Sequence, residues 1–143
     1  MKVDTILRRK GKVVFKTRSE MSVQCAVDRL RMQDIAALVV VENEEMVGLI
    51  SEREIVRALS SHGEELLSKQ VRDVMTMDIV TCTPDDDLRH VMALMTQRRV
   101  RHLPVVRNGR LEGIISIGDI IKHRLAELEL ETNVLRDTYF ATH

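Results

Sequence analysis

Apolar and polar positions run through this chain in a pattern that occurs twice. Gly113-Ile114-Ile115-Ser116-Ile117-Gly118-Asp119-Ile120-Ile121 is echoed 65 residues earlier by Gly48-Leu49-Ile50-Ser51-Glu52-Arg53-Glu54-Ile55-Val56. Each copy reads as a short apolar strand that ends in Ser and turns at once into a helix. The same offset lays Val14-Phe15 on Ile79-Val80, and Leu38, Val40 and Val41 on Leu103, Val105 and Val106. It also lays Val23, Ala26, Val27 and Leu30 on Leu88, Val91, Met92 and Met95, all at helical spacing.

The first unit opens with a helical turn at Val3 to Leu7, followed by a strand over Lys12 to Thr17. Ser22 caps a helix to about Gln33, Ala37 to Val41 is a buried strand, and Asn43-Glu44-Glu45 turns into a return strand at Met46 to Ile50. A second helix covers Glu52 to about Ser61, with Gly63 at its end. Leu67 to Met75 links to the second unit, which repeats the order. Ile79 to Cys82 is its short strand, and Thr83-Pro84-Asp85-Asp86-Asp87 caps a helix to about Arg98. Leu103 to Val106 and Leu111 to Ser116 form a hairpin about Asn108-Gly109. A last helix reaches about Tyr139. A unit this small cannot bury both faces of its sheet alone, whereas two stacked units can. The expected fold is therefore α+β: two β-α-β-β-α units, residues 1–66 and 67–126, packed about an internal pseudo-two-fold axis, with a helical extension at 127–143.

Composition narrows the functions. Aromatics are 2% of the chain, so the core must be aliphatic, and stacking platforms for single-stranded nucleic acid are missing. Lys and Arg balance Asp and Glu at 22 each, which gives no broad attraction for DNA or anionic membranes. No apolar run suits a secretory leader or a membrane span. A cytoplasmic protein without nucleic-acid or membrane partners is expected. Two cysteines make neither a disulfide framework nor a redox pair. Cys25 is placed on the buried face of a helix, and Cys82 near the cleft, where a redox role is conceivable. No phosphate-loop, dinucleotide or zinc-protease motif occurs, and the histidines have no ligand spacing with the cysteines. The chain is not read as an enzyme.

Tandem units ending in Gly48 through Glu54 and Gly113 through Asp119 resemble a pair of cystathionine-β-synthase (CBS) motifs, or Bateman module. Ala37-Leu38-Val39-Val40-Val41, His102-Leu103-Pro104-Val105-Val106 and the opening Val74-Met75-Thr76 fit as well. The resemblance covers about Val3 to Leu125. It implies an adenine nucleotide or related adenosyl ligand (AMP, ADP, ATP, NAD or S-adenosylmethionine) between the repeats, and regulation of another protein, as in energy sensing.

Two readings compete at each Ser-x-x-acid corner. Ser116 and Asp119 form a capping box by spacing alone. The resemblance instead implies that Asp119 holds ribose hydroxyls, with Ser116 and Ile115 beside the ligand and Gly118 letting it approach the backbone. A carboxylate accepts from a diol, and a helix N-terminus favours phosphate. Repeat one departs, with Glu54 for Asp and Arg53 where repeat two has Gly118. Ser51 and Glu54 are then either structural or hold a shifted ribose, and Arg53 supplies a cation. Arg101 and His102 align with positions the resemblance places near phosphate, while Arg98 and Arg99 serve equally well as solvated cations at a helix end. Thr83 falls at a corner that contacts the base in such modules, and is equally a helix start.

The expected arrangement has one strong site per chain, centred on Asp119, in a homodimer. The second hypothesis is a ligand-independent module that regulates an unknown partner protein through its final helix.

Overall fold

The computed structural model of the chain describes residues 1–142. α1 (Val3–Lys10) comes first. Repeat one follows as β1 (Lys16–Arg18), α2 (Val23–Gln33), β2 (Ala37–Glu42), β3 (Glu45–Ser51) and α3 (Glu52–His62). Two 3₁₀ turns, Gly63–Ser68 and Val71–Asp73, occupy the linker. Repeat two contains α4 (Leu88–Arg98), β4 (His102–Arg107), β5 (Arg110–Ser116) and α5 (Ile117–Thr142).

Local chemistry fixes most boundaries. The Ser22 side chain accepts from Cys25 N–H at 3.1 Å, so α2 starts where a short acceptor can meet its free donors. Asp87 serves α4 in the same way through Arg89 N–H, so that helix begins at Leu88, past Pro84. Both hairpins turn through positive φ, at Asn43 and Glu44 and at Asn108 and Gly109. Both carry a bulge at the same place, between Val40 and Val41 and between Val105 and Val106.

The sheets differ. In repeat one β1 pairs parallel to β2, which pairs antiparallel to β3. In repeat two the strand expected over Ile79 to Cys82 does not form, and a single bridge at Cys82 and Val105 stands in its place. The cause is one residue. Val39 N–H donates to Phe15 O at 3.1 Å in repeat one, and its counterpart is Pro104, which has no N–H to give. Only Cys82 N–H to Pro104 O and Val106 N–H to Cys82 O remain, at 3.1 and 2.8 Å. β1 itself is shorter than the Lys12 to Thr17 expected, covering three residues.

Each repeat is completed by the segment that precedes the other one. α1 stands before repeat one in the chain, yet Val3, Ile6 and Leu7 join Cys82, Leu88, Val91, Met95, Leu103, Val105, Ile115 and Ile120 in the repeat-two core. Val3 N–H and Asp4 N–H donate to Asp86 O and Pro84 O, both at 2.9 Å, and Arg9 meets His123 of α5 at 3.1 Å. Conversely, Val71 lies in the repeat-one core with Ala26, Leu30, Leu38, Val40 and Ile50, with Val74 and Met75 packed against it. Val71 and Arg72 N–H donate to Met21 O and Ser19 O at 2.8 and 2.9 Å.

This crossing explains the two glycines that open the repeated motif. A Cβ at Gly48 would stand 2.6 Å from Met75 Sδ and 3.0 Å from Thr76 O. A Cβ at Gly113 would stand 2.8 Å from Leu7 Cδ2. In both repeats the crossing segment leans on backbone that only Gly leaves bare.

Candidate functional site

The two Ser-x-x-acid corners face different surroundings. At the start of α3, Glu54 Oε1 accepts from Ser51 N–H at 2.9 Å and from Ser51 Oγ–H at 2.6 Å. Both bonds fall on one oxygen, and Oε2 has no donor among the described residues. At the start of α5, Asp119 Oδ2 accepts from Ser116 N–H at 2.9 Å while Ser116 Oγ accepts from Asp119 N–H at 3.1 Å. Both corners are capping boxes in which the acid accepts from the N–H of its own Ser.

Asp119 has a further partner. Lys10, the last residue of α1, donates to Asp119 Oδ2 at 2.7 Å and to Ile114 O at 2.9 Å. Burial pushes the Asp119 carboxyl up, but the hydrogen bonds from Lys10 and Ser116 N–H and the Lys10 charge outweigh it and hold it below the usual value. No local pattern announces this pairing, since Lys10 and Asp119 lie 109 residues apart.

Between the repeats lies a cleft of about 740 Å³, within the roughly 300–1,000 Å³ usual for ligand sites. One wall is the start of α3, with Ser51, Glu52, Arg53, Glu54, Val56 and Arg57. The other is the end of α4 and the start of β4, with Arg99, Arg101 and His102. Leu49, Met95, Val100 and Ile117 give it an apolar floor. Four guanidinium groups stand against two carboxylates there, an excess of positive charge. Arg53 donates to Arg99 O, tying the two walls together. Arg99 itself ends α4 in the left-handed region, at φ 55°, which opens that carbonyl to the cleft side.

His102 is half-buried and carries no charge at neutral pH. Burial and the nearby Lys10 charge push its pKa down, and Asp119, Glu52 and Glu54 only partly oppose them. It enters the cleft as a neutral donor and acceptor.

Of the residues singled out from sequence, Ser51, Arg53, Glu54, Arg101 and His102 line this cleft, and Arg99 joins them. Ser116 and Asp119 are half-buried under Lys10 and are not among its lining residues. Gly118 is exposed, with Ser116 Oγ 3.6 Å from where a Cβ would stand. Ile115 is fully buried in the repeat-two core. Thr83 is exposed, its N–H held by Asp86 at 2.8 Å. Arg57 and Thr96 were not anticipated. Arg57 sits one helical turn after Arg53, a spacing that was available to find it.

Both cysteine placements change the chemistry expected of them. Cys25 is exposed and not on the buried face of α2. Cys82 is buried, and burial, with the Asp86 charge, pushes its thiol up to about 12. A thiol so rarely ionised is a poor redox sensor. Among the described residues no group of three or more His, Cys, Asp or Glu gathers as metal ligands, and no helix is long and apolar enough to cross a membrane.

The CBS domain family matches residues 11–61 and 71–126, and the chain belongs to that family as a paired CBS module. It is 35% identical over 106 residues to the mitochondrial CBS domain-containing protein CBSX3 of Arabidopsis thaliana, a match covering 71% of this chain and 52% of that one. The chain thus spans about half the length of that curated relative. The crystal structure of the CBS-domain containing protein ATU1752 from Agrobacterium tumefaciens superposes with a TM-score of 0.85 at 37% identity, covering 87% of this chain and 99% of that one. The CBS domain pair of protein MJ0100, solved in complex with 5′-methylthioadenosine and S-adenosyl-L-methionine, superposes with a TM-score of 0.78 at 26% identity over 89% of this chain and 98% of that one.

Proposed function

We propose that this protein is a non-catalytic regulatory module that binds an anionic adenosyl ligand, of the AMP, ADP, ATP or NAD class, in the cleft between its repeats. The observation that carries this reading is the pairing of walls in that cleft: a Ser51–Glu54 corner at a helix start facing Arg99, Arg101 and His102. In this reading Glu54 Oε2 accepts from the ribose diol, and Arg57, Arg99 and Arg101 meet phosphate in geometry that guanidinium suits. The apolar floor receives the base. The adenosyl ligands of the MJ0100 domain pair support the chemical class, and the excess of guanidinium groups favours a phosphate-bearing member over an uncharged nucleoside.

The expectation of a site centred on Asp119 is revised in this proposal. Lys10 already pairs with that carboxylate, so a ribose there must compete with an ion pair, whereas Glu54 has no cation paired with it among the described residues and lines the cleft. Ligand bound between the walls favours one arrangement of the repeats, and a partner protein reads the difference. The module works as a homodimer in the cytoplasm.

Calorimetry with AMP, ATP, NAD, GMP and adenosine tests the reading. Saturable binding of an adenine nucleotide, weaker for GMP and adenosine and lost in Glu54→Ala and Arg101→Ala, supports it. Absence of binding by all five favours the second reading, a ligand-independent interaction module.

A further inference from the structure

α5 runs on past the folded body. Its early turns are seated, with Ile120 and His123 buried and Glu127 half-buried, but every residue from Leu128 to Tyr139 is exposed. A helical stretch so exposed is marginal in water on its own. Its apolar residues nevertheless follow a rule. Ile121, Leu125, Leu128, Leu135 and Tyr139 succeed one another at spacings of four and three, with Thr132 in the one remaining place. They are between 43% and 70% exposed. This is the heptad seam of a coiled coil. The Thr132 hydroxyl donates to Leu128 O at 2.9 Å, so it enters an apolar seam without an unmet donor. Leu130 and Val134 lie off the seam, a pair four residues apart that forms no such line.

The flanking charges choose the partner and its direction. Lys122, Glu129 and Arg136 border the seam on one side, and Arg124, Glu131 and Thr138 on the other. In a parallel pair, each of the second set faces the residue five places on in the other copy. Arg124 then meets Glu129 of the second copy, and Glu131 meets Arg136. In an antiparallel pair overlapping along the whole seam, Glu129 meets Glu129, Glu131 meets Glu131, and Lys122 meets Arg136. The first arrangement attracts throughout and the second repels. Beside the seam, a groove of about 470 Å³ lined by Met1, Met92, Ile121 and Leu125 extends the apolar strip onto the body.

We propose that a second copy of this chain covers this face, the two α5 helices pairing in parallel along Ile121 to Tyr139 as a short coiled coil. The inference rests on the homodimer reading above and is independent of ligand binding.

Light scattering and disulfide cross-linking on the full chain test it. Cysteines are placed in a Cys25→Ser background, which leaves only the buried Cys82. The wild type is expected to be a dimer, and Leu135→Cys to cross-link to a dimer on mild oxidation. Leu128→Glu with Leu135→Glu is expected to raise the dissociation constant about a hundredfold, because both seam positions then carry buried like charge. Glu131→Arg weakens the dimer, and adding Arg136→Glu restores it by reversing both partners of each pair. A wild type that is monomeric overturns both the homodimer and the coiled coil. A dimer untouched by the Glu variants keeps the homodimer and overturns this surface. Cross-linking of Leu125→Cys to Leu135→Cys, with none between two copies of Leu135→Cys, overturns the parallel direction.

Discussion

The two repeats run the same motif to different ends. In repeat one the acid of the Ser-x-x-acid corner is Glu54, bound among the described residues only to its own Ser51 and facing an open cleft. In repeat two it is Asp119, bound to Ser116 and clamped by Lys10. The corner itself does not set the difference. The crossing segment does: α1 brings a lysine to repeat two, whereas the linker brings Met75 and Thr76 to repeat one, where Thr76 pairs both ways with Leu49 at 2.9 and 3.0 Å. A pseudo-two-fold module can thus give its two corners unequal surroundings although its motifs are near copies.

Breaking the crossing should have the largest effect. Leu7→Ala empties a fully buried place in the repeat-two core and is expected to cost about 2–5 kcal/mol in urea unfolding. A loss below about 0.5 kcal/mol, typical of surface positions, would mean that α1 is a dispensable tail. The two motif glycines come next. Gly48→Ala presses on the Thr76 carbonyl as well as Met75, and backbone cannot step aside, so a loss of about 1–3 kcal/mol is expected. Gly113→Ala meets only the tip of Leu7, which can rotate, and should cost less. Equal losses would break the distinction.

The clamp itself is a smaller term. Lys10→Met removes a partly exposed ion pair, with an expected cost of at most about 1 kcal/mol near neutral pH. Its clearer mark is in acid. The folded Asp119 carboxyl lies below its ordinary value of 3.8, so its contribution is present above that value and lost as pH falls through the folded pKa. Thermal unfolding between pH 2 and 5 should therefore be less pH-dependent in Lys10→Met than in the wild type. An unchanged acid limb would mean that Lys10 does not hold Asp119.

The smallest effect belongs to His102. Its folded pKa lies below 6.5, so the unfolded chain takes up the proton first, and stability falls as pH drops below about 6.5 toward the folded value. His102→Gln should flatten the melting temperature between pH 5 and 7. A slope that survives the change would place its source elsewhere.

Much of this architecture was legible because its signals are local. Ser22, Asp87, the two positive-φ turns and the 65-residue echo each act within a few residues, and each marks the boundary or register expected. The missing strand before Cys82 was legible too, through Pro104, but only with repeat one aligned beside it as a template for the lost donor. Cys25 was misplaced because the apolar face of α2 is carried by Val23, Ala26 and Leu30, which leaves position 25 outward. At the site, the Ser51–Glu54 and Arg101–His102 walls were visible as motifs. Lys10 was not, because nothing near it in sequence shows that α1 crosses to the far repeat. Long-range pairing of this kind depends on the path of the chain and leaves no periodicity to read.

Nucleotide binding to Glu54→Ala and Asp119→Ala, measured side by side by calorimetry against the wild type, decides whether the two corners are unequal in binding. Glu54→Ala is expected to lose at least about tenfold in affinity, the scale of one charge-assisted hydrogen bond, while Asp119→Ala binds as the wild type does. Equal losses in the two variants, or a loss confined to Asp119→Ala, would contradict that expectation.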